Sequence, residues 1–302
     1  MQKDLFRQEG KDDPGETLQR ENEHVLFGSC SFSEPDWVGP FYPPGTAPAD
    51  YLPFYATRYR TVEIDATYYA VPSKRTVEGW REKTPEGFLF SAKFPRDVVH
   101  GGEGPKTDPE KILDSERALA VTDSFLESMS RLGDKLGPLL IQFPYFNKSA
   151  FPEPDPFLER LDRFLGRLPA GRRFAVELRN KGWLSEKLVD VLRSHGCVLA
   201  LVDHAWMPHG AEVAEQYGVL TNGLGYIRLV GDRVEIEKVT KKWNREVFDQ
   251  SENIGRWARL IAQSSVNAEK IVVYVNNHFA GYSPSTLKRL MELYYKEISG
   301  LK

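Results

Sequence analysis

The chain is poor in the residues that would make its class obvious. Cys30 and Cys197 are the only cysteines in 302 residues, far apart and in no metal-ligand spacing. That usage fits a reducing cytoplasm and reads both as buried side chains rather than reactive thiols. No apolar run approaches the ~20 residues of a membrane span, and the amino terminus carries no signal-peptide core. No GxGxxG follows the first apolar run, and neither a P-loop nor an HExxH pair occurs. HGGEG (100–104) opens no helix directly and reads as a plain loop. A charge excess is missing too: the net charge is −3, which leaves no overall footprint for nucleic acid or a membrane surface. The expectation is a cytoplasmic protein with no membrane contact.

What is present is alternation. Residues 1–23 are polar and aperiodic and are expected to form a disordered or loosely attached tail. From residue 24 to 302, short apolar runs take turns with amphipathic stretches. Eight runs suit strands: VLFGSC (25–30), TVEID (61–65), FLFSAK (88–93), PLLIQF (138–143), RFAVEL (173–178), CVLALVD (197–203), GYIRLV (225–230) and IVVYVN (271–276). Helical spacing marks 75–83, 109–132, 156–168, 184–195, 254–264 and 284–298, with at most a short helix between runs six and seven. Eight strands alternating with helices over about 280 residues predict an α/β fold, a single (β/α)8 TIM-barrel-like domain.

Strands covered on both faces should be almost wholly apolar, so their polar residues are informative. Period-two alternation sends Val62, Ile64, Phe88, Phe90, Ala92, Leu139, Ile141 and Phe143 outward. It leaves Glu63, Asp65, Ser91, Lys93, Gln142, Glu177, Arg179, Asp203, Tyr226, Arg228, Tyr274 and Asn276 on the other face, towards the later part of each strand. In a barrel that place is the carboxyl-end mouth, where active sites of this fold are built. The same charges nearly balance, so a structural ion-pair network is the competing account. Their collection at one end of the strands favours a partly hydrated functional mouth.

Seven ordered motifs carry a resemblance. WVGPFYP (37–43), TVEIDATYY (61–69), FLFSAKFP (88–95) with His100, LGPLLIQFP (136–144), FAVELRNKGW (174–183), YIRLVG (226–231) and YVNNHFAGYSP (274–284) resemble the YecE-like family, the domain of unknown function 72. The resemblance covers about 26–295 and implies a TIM-barrel-like fold, with no settled activity. Residue by residue it marks Glu63, Lys93, His100, Gln142, Glu177, Arg179, Trp183, Asp203, Arg228, Asn276 and Asn277. Asp65 stands where the family usually has Asn, Val99 where it has Thr, and Asn180, Lys181 and Gly182 where it has a His-Pro-Ser run. The segment 231–248 is atypical as well.

The favoured chemistry is metal-free acid–base catalysis by a hydrolase, lyase or isomerase, with no cofactor. Glu177, Glu63 and Lys93 are the catalytic candidates. Arg179 and Arg228 would hold a phosphate- or carboxylate-bearing small molecule, helped by Gln142, Asn276, Asn277, His100, Asp203, Trp183 and Tyr226. Arg228→Met is expected to abolish anion binding without unfolding the chain. One alternative is a metal-dependent phosphoesterase-like hydrolase, with His100, Asp203 and His278 as ligands, joined by His204 and Glu177. The other is a non-enzymatic barrel that binds a nucleotide, sugar or RNA element. For that reading Trp37, Phe41, Tyr42, Trp183, Trp206 and Trp243 offer rings and Lys238, Lys241, Lys242 and Arg245 a basic stretch. Core packing and a solvated helix face are the more economical accounts of those two sets, so nucleic acid ranks below a small molecule as partner.

Overall fold

The computed structural model describes residues 24–102, 106–218 and 220–300. The expected amino-terminal tail lies outside them. The strands are β1 (Val25–Ser29), β2 (Thr61–Ile64), β3 (Leu89–Lys93), β4 (Leu136–Gln142), β5 (Phe174–Glu177), β6 (Val198–Leu199), β7 (Leu201–Asp203), β8 (Leu224–Leu229) and β9 (Lys270–Val275). All pairings are parallel, in the orders β2-β3-β4-β5-β6 and β7-β8-β9-β1. β6 and β7 are one strand of the barrel interrupted at Ala200, whose N–H still bonds Val176 O at 2.9 Å. There the ladder passes from β5 to β8.

The other seam lies between β1 and β2, which approach without forming a ladder. A Cβ on Gly28 would fall 2.1 Å from Thr61 O, so only glycine permits the approach. A side chain closes this seam. The Tyr55 hydroxyl accepts from Ser29 N (2.8 Å) and donates to Thr61 O (3.1 Å).

Around the strands run α1 (Tyr51–Arg58), α2 (Lys74–Glu82), α3 (Arg96–Val99), α4 (Glu116–Met129), α5 (Asp155–Leu165), α6 (Glu186–Ser194), α7 (Gly210–Tyr217), α8 (Arg233–Val239), α9 (Ser251–Ser265) and α10 (Ser283–Gly300). Ser73, Ser115, Ser185 and Asp232 cap α2, α4, α6 and α8 by accepting the free N–H groups of the first turn. The helix expected over 109–132 begins only at Glu116; Leu113, at φ 70°, belongs to the preceding loop.

Two separate cores confirm the alternation. Val62, Ile64, Phe88, Phe90, Ala92, Leu139, Ile141 and Phe143 join the layer between strands and helices. Leu26, Cys30, Leu140, Ala175, Val198, Ala200, Leu224, Tyr226, Val272 and Tyr274 form a second cluster inside the barrel. Among the described residues, no helix is long and apolar enough to cross a membrane.

Candidate functional site

At the carboxyl end of the barrel interior the apolar filling gives way to charge. Arg228, on β8, is bracketed by two carboxylates from across the barrel. Its Nε donates to Glu63 Oε2 at 2.9 Å, its Nη2 to Glu63 Oε1 at 2.6 Å and its Nη1 to Glu177 Oε2 at 2.6 Å. The Tyr226 hydroxyl donates to Glu63 Oε2 at 2.6 Å. Gln142 Oε1 stands at the limit of reach, 3.5 Å from Arg228 Nη1. Side-chain exposure is 1% for Arg228 and 0% for Glu63 and Glu177.

This floor is therefore not the hydrated surface expected from the sequence. Burying three charges is costly, and the bidentate, charge-assisted geometry offsets the cost. Burial alone would raise both carboxyl pKa values. The Arg228 and Lys93 charges outweigh it for Glu63, which is held at about 2. Arg179 and Arg228 likewise hold Glu177 below the ordinary range. Carboxylates held in the ionised state by buried cationic partners are poor proton carriers, which weighs against Glu63 and Glu177 as acid–base groups. The floor also overturns the benign Arg228→Met expectation, because that change would strand two buried carboxylates.

A second layer lies just outside. Lys93, at the end of β3, pairs with Asp65 at 2.9 Å, with side chains 14% and 27% exposed. Burial, helped by the charge of Glu63, lifts the Asp65 pKa to about 6 against the opposing pull of Lys93. Arg179 lies 2.5 Å from Glu177 Oε1 with its side chain 10% exposed. The contact is an ion pair without hydrogen-bond alignment: among the described residues neither Glu177 Oε1 nor Arg179 Nη1 has a hydrogen-bond partner. Burial lowers the Arg179 pKa despite Glu177, whereas the paired carboxylates raise that of Arg228 well above its ordinary value. Glu63, Asp65 and Glu177 face Lys93, Arg179 and Arg228, so the two layers together are neutral until Asp65 takes up a proton.

Several expected ligand-binding residues are occupied structurally. Asn276 Oδ1 accepts from His278 N (2.9 Å) and Asn277 Oδ1 from Ser283 N (3.0 Å), shaping the loop after β9. Trp183 stacks on Phe146 and tilts against Phe157, part of an aromatic core. Asp203 Oδ2 accepts from Asn253 Nδ2 (2.9 Å) and Trp257 Nε1 (2.7 Å), anchoring β7 to α9. His100 is buried beside Thr107, and desolvation lowers its pKa.

The proposed metal ligands His100, Asp203 and His278 do not converge. His278 instead lies 3.5 Å from Glu237 and edge-on to Trp243. Among the described residues the one cluster with ligand spacing is Cys30, Glu63 and Asp65. It is an unsuitable cradle, because Arg228 and Lys93 already fill the directions a dication would take and would repel it. Burial raises the Cys30 thiol pKa well above its usual value, which disfavours the thiolate a metal needs. The basic stretch is a solvated face: Lys238 and Lys241 pair with Glu235 and Glu237 along α8.

Asp65 is the residue whose importance the sequence understates. Period-two spacing marks it as inward, but nothing in the sequence separates its protonation behaviour from that of Glu63. Tyr274 is another: its hydroxyl bonds Thr61 Oγ1 (2.7 Å) and Ser91 Oγ (2.8 Å), crossing the interior beneath the charges.

Beside the rim is a cleft of about 850 Å³ formed by the loops after β4, β5 and β7, with Tyr145, Arg179, Lys181 and Trp206 among its walls. The Asn180 amide fixes two of these loops together. Its Oδ1 accepts from Phe146 N (2.9 Å) and its Nδ2 donates to Phe146 O (2.7 Å).

This architecture has relatives. A DUF72 family protein from Enterococcus faecalis V583 superposes with a TM-score of 0.66 at 23% identity, over 90% of this chain and 95% of that one. The UPF0759 protein YunF of Bacillus subtilis (strain 168) is 26% identical over 299 residues, 92% of this chain and 97% of YunF. The UPF0759 protein YecE of Escherichia coli (strain K12) is 26% identical over 257 residues, 79% of this chain and 81% of YecE. With the DUF72 family model matching residues 26–301, the chain belongs to that family, described as a protein of unknown function with, here, a TIM-barrel-like fold.

Proposed function

We propose that the barrel mouth binds a small phosphate- or carboxylate-bearing molecule and performs metal-free acid–base chemistry on it. The observation that carries this reading is the Arg179 guanidinium beside the cleft: buried, only partly compensated, and with Nη1 unpartnered among the described residues. An orphaned buried donor costs roughly 1–3 kcal/mol, which an incoming oxyanion would recover. Lys93 supplies the second cation. Asp65, with a pKa of about 6, is the group suited to passing a proton near neutrality. Glu63, Glu177 and Arg228 act beneath as a fixed floor with one negative charge in excess, which helps to hold Arg179 in place.

The reading predicts a pH dependence. Protonating Asp65 removes a negative charge beside Lys93, so anion binding should strengthen as pH falls through about 6. Thermal-shift titrations with phosphate or sulfate at pH 5.5 and 7.5 test it, since an anion bound only to the folded state raises Tm with occupancy. The expected result is a larger shift at pH 5.5, a flat profile in Asp65→Asn and no shift in Lys93→Met. Equal responses to sulfate and to chloride at matched ionic strength would refute the site, leaving only non-specific screening.

A further inference from the structure

The cleft beside Arg179 contains more than cations. Tyr145 and Trp206 are 61% and 60% exposed, unusual for large rings, and both line it. Of the six rings considered for stacking, Trp37 and Tyr42 are buried and Trp183 is packed among phenylalanines, while Trp206 stands in the open. It is supported on one side by the His204 ring, edge-on at 4.9 Å. The opposite wall is held in register by the Asn180–Phe146 pairing. Arg179 belongs to both the ion network and the cleft, and Lys181 lines the cleft beside it.

We infer that the ligand of this mouth is a planar heteroaromatic molecule carrying one phosphate, a mononucleotide in chemical class. This rests on the anion-site reading above and deepens it. The phosphate would meet the Arg179 and Lys181 cations, while the base stacks on Trp206. A cleft of about 850 Å³ falls within the ~300–1,000 Å³ usual for drug-sized ligands, room for one nucleotide and not for a strand. Exposed rings alone would suit many apolar ligands. Two cationic side chains, Arg179 and Lys181, lining the same cleft select an anionic one.

Calorimetric titration of the full chain with AMP, ribose 5-phosphate, adenosine and a short oligo(dA) tests the inference. AMP is expected to bind more tightly than ribose 5-phosphate by the roughly five- to hundredfold that base–aromatic stacking supplies. Trp206→Ala, a change at an exposed position, should bring AMP down to the ribose 5-phosphate level and leave ribose 5-phosphate itself unchanged. In the native protein adenosine should bind at least tenfold more weakly than AMP.

Equal affinity for AMP and ribose 5-phosphate would overturn the nucleotide assignment while the anion site stands. Equal affinity for AMP and adenosine, with the Trp206 dependence retained, would overturn the anion site and the phosphate half of the inference, leaving a stacking cleft. Oligo(dA) binding that tightens with length beyond AMP would overturn the small-molecule assignment in favour of a nucleic-acid strand.

Discussion

Two buried cations at opposite ends of the barrel show how differently the same chemistry is used. Lys135 precedes β4 at the amino end and is 7% exposed. Its ammonium donates to Arg81 O (2.7 Å), Thr84 O (2.6 Å) and Thr84 Oγ1 (3.1 Å), so each of its three protons has an acceptor. Arg179, just past β5 at the carboxyl end, is as deeply buried but leaves Nη1 unpartnered. A satisfied charge ties backbone together and has nothing left for a ligand. An unsatisfied one is held at a cost in stability, which is why the anion-site proposal rests on Arg179 and not on Lys135.

The strongest test of this contrast lies beneath Arg179. Arg228→Met should destabilise the chain by about 3–5 kcal/mol, because it leaves Glu63 and Glu177 as buried charges. Urea unfolding at pH 7 measures the loss; a change below about 1 kcal/mol would mean that water reaches the floor. Next, Lys135→Met should cost about 1–3 kcal/mol by orphaning two carbonyls, with no effect on anion-induced Tm shifts. A lost anion response there would erase the distinction between the two ends.

Asp65→Asn should act with the opposite sign, and only at higher pH. The folded-state pKa of Asp65 is raised from 3.8 to about 6, so its contribution to stability is fully present below about pH 4 and is lost as pH rises through 6. The amide stays neutral throughout. The variant should therefore match wild type in acid and exceed it by about 1–3 kcal/mol at pH 8. A pH-independent difference between the two would show that Asp65 titrates normally. The smallest stability effect belongs to Arg179→Met, within about 1 kcal/mol, since losing the Glu177 contact is offset by losing an orphaned donor. Its anion-induced Tm shift should vanish nonetheless.

Much of the frame was legible beforehand. Each of the eight expected runs overlaps a strand, and strand six differs only by its break at Ala200. α1 escaped because it interleaves Pro53 with buried Tyr51, Leu52, Phe54 and Tyr55, a pattern without a polar stripe. α8 escaped because its seven residues hold a single buried side chain, Ile236, and periodicity needs more than one contact to be visible. Within the site, Asn276, Asn277, Asp203 and Trp183 had the right residue types in the right places. Their partners are loop N–H groups, α9 and an aromatic core, which no local pattern announces.

The sequence by itself determined the barrel and the face on which each polar residue falls, because a period of two is a local property of the strand. It also placed the charges at one end. Which of those charges remain free was decided only by the tertiary structure. Arg228 and Glu63 are 165 residues apart in the chain and 2.6 Å apart in the barrel. Pairing, burial and the resulting pKa values depend on that convergence through space, and so does the difference between the fully paired Arg228 and the partly paired Arg179.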